Sequence, residues 1–103
     1  DVTTYEYTII GKMMFLNFAI ESTTVGGTPS IQLKIAIPAS KVSTKTSLVS
    51  VVVFDNSDTV NEAGYCSVSP SGTVVNIRRN SGVNWSASTD HTWVYGHLAF
   101  EIN

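Results

Sequence analysis

The segment Asn80 to Asp90, N-S-G-V-N-W-S-A-S-T-D, combines amide, hydroxyl and carboxylate side chains with one large aromatic ring. Sugar-binding surfaces use this combination, because a flat ring covers the apolar face of a pyranose while amides and carboxylates bond its hydroxyls. The pattern predicts a ligand surface formed by Asn84, Trp85 and Asp90. In the alternative interpretation, Trp85 plugs the open end of the fold and contacts no ligand.

A second aromatic pattern lies close behind this loop. Trp93 and Tyr95 are two positions apart, so in a strand they share one face, and His97 continues the row. We expect Trp93 and Tyr95 to extend the sugar-binding surface. The alternative is that this face covers a second sheet or a neighbouring subunit.

Oxygen-bearing side chains are densest in D-N-S-D-T-V-N-E, residues 55–62. Calcium takes six to eight oxygen ligands, and Asp55, Asp58, Asn61 and Glu62 would supply four of them. The spacing differs from that of an EF-hand. Asp, Asn and Ser are also common in turns, where their side chains bond the local backbone. Calcium is therefore the one cofactor that the sequence leaves open beside a purely structural turn.

Signs of catalysis are missing from the sequence. The serine-hydrolase motif G-x-S-x-G is absent, and Cys66, the only cysteine, would need His91 or His97 beside it to act as a nucleophile. A lone cysteine in a strand is usually a small core residue, and it can form neither an internal disulfide nor a multi-cysteine zinc site. We expect that the protein is not an enzyme.

The length, composition and net charge of the chain limit the classes of function that are expected. The chain has 103 residues, 43% hydrophobic and 14% charged, which predicts one ordered globular domain over residues 1–103. A formal net charge of -2 attracts no phosphates, and Arg78 and Arg79 would point to opposite faces of a strand, so nucleic-acid binding is not expected. Because the chain begins at Asp1 without a signal peptide, we expect a processed product or an excised domain.

The most apolar stretch, Y-E-Y-T-I-I-G-K-M-M-F-L-N-F-A-I, decides the fold class. A membrane helix needs about 20 consecutive apolar residues, and polar residues interrupt this stretch too often, so membrane insertion is not expected. Its apolar side chains alternate as in strands. Gly11-Lys12 falls where the chain must reverse, since glycine accepts the positive φ of tight hairpin turns. The stretch predicts a hairpin.

The same period continues to the end of the chain. Predicted strands cover residues 31–37 between two prolines, residues 48–54 with both faces covered, the hairpin 65–69 and 73–79, and residues 92–102. In the last strand one face carries Val94, Leu98, Phe100 and Ile102. No helix of normal length is expected. The pattern predicts an all-β domain, a single antiparallel, jelly-roll-like β-sandwich of about six to eight strands.

Four segments carry a family resemblance. They are Y-T-I-I-G-K-M-M-F-L-N-F-A-I, the loop V-G-G-T-P-S and the strand I-Q-L-K-I-A-I-P, and the closing G-H-L-A-F-E-I-N is similar to a final strand. Together they resemble the small β-sandwich modules at the C-terminal ends of bacteriophage tail fibres, tail spikes and baseplate receptor-binding proteins. The resemblance covers about the first forty and the last ten residues. These are strand and turn positions, so no binding residue can be transferred.

The resemblance implies an extracellular or virion-borne adhesion module, often trimeric, from a longer fibre-like protein. With the aromatic loop, it predicts a non-catalytic module that recognises carbohydrate on a host cell surface as part of a phage tail or similar adhesin. Expected partners are a host-surface glycan or receptor and other fibre subunits in a homotrimer. The alternative is a purely structural or oligomerisation domain, in which the face of Trp93 and Tyr95 is buried between subunits.

Overall fold

The computed structural model of the chain describes residues 2–57 and 59–103, and this part is built from seven strands. They are β1 (Val2–Ile10), β2 (Met13–Val25), β3 (Leu33–Ala36), β4 (Ser47–Phe54), β5 (Glu62–Val68), β6 (Val74–Arg79) and β7 (Ser88–Glu101). A short 3-10 helix, Pro38–Ser40, follows β3. The expected all-β, antiparallel class is confirmed. Among the described residues, no helix has the length and apolar character needed to cross a membrane.

The opening hairpin is confirmed. Ile10 of β1 pairs with Met13 of β2, which leaves Gly11 and Lys12 as a two-residue turn. Gly11 has a φ of 61°, the left-handed conformation that such turns favour and that glycine adopts without steric cost. The apolar stretch is therefore the first core hairpin of the domain.

All seven strands belong to one antiparallel sheet in the order β1-β2-β7-β4-β5-β6-β3. The pairing of β2 with β7 runs from Met13 and Glu101 to Val25 and Ser88. By contrast, β4 pairs with β7 only from Val52 and Tyr95 to Phe54 and Trp93. Side chains from the end strands β1 and β3 pack against the same core as those of the central strands. The sheet therefore curls around its core as a half-barrel.

One face of the sheet, the inner face, carries the core. Alternate residues of the central strands are buried there, as strand geometry requires. They include Met14, Leu16, Phe18, Val51, Val53, Cys66, Val75, Ile77, Val94, Leu98, Phe100 and Ile102. The row predicted for the last strand is thus confirmed as core. The opposite, outer face presents its side chains to solvent along β2, β7 and β4.

The burial of β4 and the length of β3 differ from the sequence prediction. β4 is covered on one face only, since Leu48 is 62% exposed and Val52 is 48% exposed. Its β-branched run reflects strand preference, which does not require burial on both sides. β3 spans Leu33–Ala36 and is shorter than predicted. Arg78 and Arg79 behave as predicted: they pair with successive residues of β5, Tyr65 and Gly64, and so lie on opposite faces.

Gly96 lies where β7 passes over the core. A Cβ atom at this position would lie 2.5 Å from Cγ1 of Val51 and 3.2 Å from Cζ of Phe18. We expect Gly96→Ala to lower the free energy of unfolding by about 1–3 kcal/mol, because it overpacks the core. Urea denaturation measures this change.

Gly26→Ala is the matched control. A Cβ atom at Gly26 meets nothing within 4 Å, so the substitution should leave stability unchanged or slightly higher. Equal stability of the Gly96→Ala and Gly26→Ala variants would contradict the packing argument.

Candidate functional site

Trp85, the first predicted ligand contact, lies in the core. Its side chain is 2% exposed, its backbone N–H donates to the carbonyl oxygen of Ser30 at 3.0 Å, and its Nε1 donates to the carbonyl oxygen of Ile77 at 3.4 Å. A ring enclosed in this way cannot stack on a sugar. The expectation that Trp85 contacts a ligand is therefore corrected: its ring is a core residue.

A partly buried ionic cluster holds the loop around Trp85 in place. Arg79 contacts Asp55 at 3.1 Å and also bonds Glu62, and it donates to the carbonyl oxygen of Asn84 at 2.8 Å. Asp55 accepts hydrogen bonds from the backbone N–H and the hydroxyl of Ser86 at 2.8 and 2.7 Å. The bond to Glu62 and the nearby carboxylate charges raise the pKa of Arg79 against the opposing effect of burial. These contacts anchor the backbone on both sides of Trp85.

The same cluster occupies part of the predicted calcium site. Asp55 and Glu62 both face the guanidinium of Arg79, so a cation bound by these two acids would have to displace a positive charge. Asn61 is exposed, whereas Asp58 lies outside the described residues. Among the residues that are described, no group of three or more His, Cys, Asp or Glu side chains could hold a metal ion. Calcium binding in this loop stays a prediction.

The loop of residues 55–62 contains hydrogen bonds from backbone N–H groups to a side chain, which are typical of a structural turn. The hydroxyl oxygen of Ser57 accepts hydrogen bonds from the backbone N–H groups of Thr59 and Val60 at 3.3 and 2.9 Å. The backbone N–H of Ser57 donates to the carbonyl oxygen of His91 at 3.0 Å. The first two bonds are local turn contacts, and the third ties the loop to β7.

Asn84 and Asp90 are both exposed, but they occupy different surroundings. The backbone carbonyl oxygen of Asn84 accepts a hydrogen bond from Arg79 of the ionic cluster. Asp90 lies in β7 with a φ of 55°, and it exchanges hydrogen bonds with the hydroxyl of Thr24 on β2 at 3.2 and 3.1 Å. Because the ring of Trp85 is buried in the core, it does not form the predicted ligand surface with these two residues.

Trp93 and Tyr95 lie on the outer face of β7, as the alternation predicts. Trp93 is half-buried, and Tyr95 is 40% exposed. Both rings pack edge-on against Phe54, with centroid distances of 6.3 and 6.5 Å. The hydroxyl of Tyr95 donates to Oε2 of Glu21 at 2.8 Å, and this bond is the main reason that the pKa of Tyr95 is raised. The ring of Tyr95 is thus oriented at both ends.

Tyr95 and His97 form a ridge between shallow grooves, which we call the Tyr95–His97 ridge. On one side a groove of about 480 Å³ is lined by residues that include Thr4, Asn17, Ala19 and Glu21. On the other side a groove of about 480 Å³ is lined by residues that include Ser50, Val52, Asn61 and Ala63. His97 also lines a third groove, of about 320 Å³, beside Glu6 and Thr8. The ridge and its grooves are the candidate site.

The candidate site brings together an aromatic ring, an imidazole, an amide and a carboxylate. Asn17 pairs with His97, and Ala19 pairs with Tyr95, across β2 and β7. Small residues such as Ala19 and Ala63 leave open floor beside the ring. Such a surface can hydrogen-bond hydroxyl groups and offer one ring edge or face to an apolar patch. Sequence reasoning missed Asn17 and Glu21, although both interrupt the apolar outer row of β2.

Cys66 and the two histidines lie on opposite sides of the sheet. The thiol is fully buried in the core, whereas His91 and His97 are exposed on the outer face of β7. Burial raises the pKa of the Cys66 thiol from 9.0 to about 11. The geometry that a cysteine nucleophile with a histidine base needs is therefore not formed by these residues.

The buried thiol gives a test of the core. In the native protein at pH 8, Cys66 should react with a thiol reagent such as DTNB far more slowly than in urea, because it is both protonated and shielded. Because its folded pKa is raised, its contribution to stability is full below pH 9 and declines as the pH rises toward about 11. Rapid labelling of the native protein would contradict the structure.

The ionic cluster gives a second test. Asp55→Ala should lower the free energy of unfolding by about 3 kcal/mol, since it removes one partner of a buried pair and leaves the guanidinium of Arg79 undercompensated. Intrinsic fluorescence of Trp85 and Trp93 during denaturation reports the change.

Lys45→Ala is the control for this test. Lys45 forms an ion pair with Glu101 at 3.4 Å, but its side chain is 73% exposed, so its loss should change stability by less than about 0.5 kcal/mol. If the two variants were equally stable, the cluster would not anchor the loop.

Comparison of the chain with protein-family models, with curated proteins and with solved structures gave no match. The resemblance to phage fibre modules therefore stays a prediction.

Proposed function

We propose that this protein is a non-catalytic binding module that recognises carbohydrate through the Tyr95–His97 ridge. The observation that carries the proposal is the outer face of β7, where a half-exposed tyrosine ring stands between two open grooves. Polar side chains of Asn17 and Glu21 line one groove. A shallow groove along a sheet can hold a linear oligosaccharide. The aromatic ring then covers an apolar face of one sugar, and the polar side chains bond its hydroxyl groups.

The fixed orientation of Tyr95 supports this function. Phe54 packs against one side of the ring, and Glu21 accepts a hydrogen bond from its hydroxyl. A ring that is already ordered loses little conformational freedom when a ligand covers it, which favours binding. His97 and Asn17 lie beside the ring and can donate to or accept from sugar hydroxyls.

The proposal extends to the biological setting that the resemblance implies. In that setting the module lies outside the cell or on a virion tail, binds a glycan on a host surface and is joined to other fibre subunits. Its support is the strand and turn pattern of the first forty and last ten residues, together with the all-β fold. We also propose that β1-β2-β7 and β4-β5-β6-β3 act as the two layers of a sandwich, since only a short pairing joins them.

A structural or oligomerisation role is the second candidate, and one observation favours it. Apolar side chains near the first hairpin are exposed: Ile10 is 66% exposed, Phe15 is 46% exposed and Met13 is 37% exposed. Clustered apolar exposure of this kind marks interaction surfaces in soluble proteins. Binding of a glycan at the ridge and assembly through this hairpin are compatible in one molecule.

Glycan-array screening followed by calorimetric titration tests the proposed function. Tyr95→Ala should weaken binding of the best oligosaccharide about tenfold, because losing an aromatic contact costs roughly 1–1.5 kcal/mol. His97→Ala should weaken it as well. Trp85→Ala should act differently and lower the melting temperature, since Trp85 belongs to the core.

Val60→Ala is the matched control, because Val60 is 69% exposed and lines none of the three grooves. It should bind as the parent protein does. The proposal fails if no oligosaccharide binds, or if folded Tyr95→Ala keeps the parent affinity.

A further inference from the structure

β1 forms an unusually open edge of the sheet. In the part of the chain that the structure describes, it pairs with β2 and with no strand on its other side. It spans nine residues, about 30 Å at the rise of a strand, and contains no proline or glycine and only one charged residue, Glu6. Natural edges are usually short, charged or interrupted by proline. The opposite edge, β3, follows that rule with four residues and Lys34.

The core is incomplete beside this edge. Tyr7 and Ile9 pair with the buried residues Leu16 and Met14, so their side chains lie on the inner face. They are nevertheless 45% and 37% exposed, because no further strand covers them. An added strand would bond the open backbone groups of β1 and cover both side chains, as in recognition by β-strand addition.

We infer that the occupant of this edge is β1 of a second copy of the chain, paired antiparallel around a two-fold axis at Tyr7. The inference goes beyond the proposed function and does not depend on it. Two half-barrels then share one continuous sheet. The interface is isologous, the arrangement that closes as a dimer.

In this register, the side chains of β1 are complementary to those of a second, antiparallel copy of β1. Tyr7 lies opposite Tyr7 of the second copy, Tyr5 opposite Ile9, and Glu6 opposite Thr8, so apolar residues meet on the inner face and polar ones on the outer face. An axis one residue earlier would place two Glu6 carboxylates opposite each other, which is unfavourable. An axis between two residues would pair inner with outer side chains, which a continuous sheet does not allow. The axis at Tyr7 also pairs every residue from Thr4 to Ile10, and the outermost of these pairs places Thr4 opposite Ile10 on the outer face.

The dimer would place both Tyr95–His97 ridges on the same outer face. From β7 of one copy to β7 of the other there are five strand spacings, about 24 Å in total. A repeating polymer could then contact both ridges at once, which raises apparent affinity without any new contact.

Disulfide trapping and solution mass test this inference together. Light scattering from about 1 μM to about 1 mM covers weak as well as tight association, and we expect the mass to approach twice 11.1 kDa. Under mild oxidation, Tyr7→Cys should form a covalent dimer, since the two sites lie directly opposite. Glu6→Cys is the control: its two copies would be offset by two residues, beyond the reach of a disulfide. The native thiol, Cys66, is buried.

A second pair of variants guards against loss of folding. Tyr7→Lys should shift the protein toward monomer by at least about tenfold in dissociation constant, because it buries two like charges at the axis. Val83→Lys, at a 50% exposed loop position, should dimerise as the parent does, with circular dichroism confirming the fold of both. A monomer at every concentration, a mass three times that of one chain, or equal trapping of Glu6→Cys and Tyr7→Cys would overturn the inference.

Discussion

Side-chain alternation along β7 is the constraint on which the rest of this structure depends. β7 is the longest strand and pairs with β2 on one side and β4 on the other. Its inner row, which includes Val94 and Leu98, is buried in the core, so its outer row is fixed in space by the packing beneath. Tyr95 and His97 belong to that outer row, and their positions therefore follow from the hydrophobic effect acting on their neighbours.

Charge pairing inside the fold complements this arrangement. Arg79 joins Asp55 and Glu62, and the resulting cluster fixes the loop that carries Trp85. Asp55 and Glu62, which are candidate metal ligands in the sequence, thus stabilise the fold by pairing with Arg79. Because the loop is anchored, Trp85 is held in the core, and the ligand surface that we propose lies elsewhere, on the outer face of the sheet.

The sequence predicted the features that depend on local periodicity. The first hairpin, the turn at Gly11 and the inner row of β7 all follow from alternation and turn chemistry, and the structure confirms them. It left two interpretations of Trp85 open, a ligand contact or a buried residue, because the residues whose carbonyl oxygens accept its hydrogen bonds, Ile77 and Ser30, belong to other parts of the chain. The grooves were missed for the same reason: Asn17 and Glu21 reach Tyr95 and His97 only through strand pairing.

The central claim is that ligand binds at the Tyr95–His97 ridge and not at the loop around Trp85. The most direct test is an NMR titration of the isotope-labelled protein with an oligosaccharide that binds it. The claim predicts that the largest amide shift changes lie on β7 and β2, at and beside Tyr95, His97 and Asn17. Changes concentrated at residues 80–90 instead would contradict it.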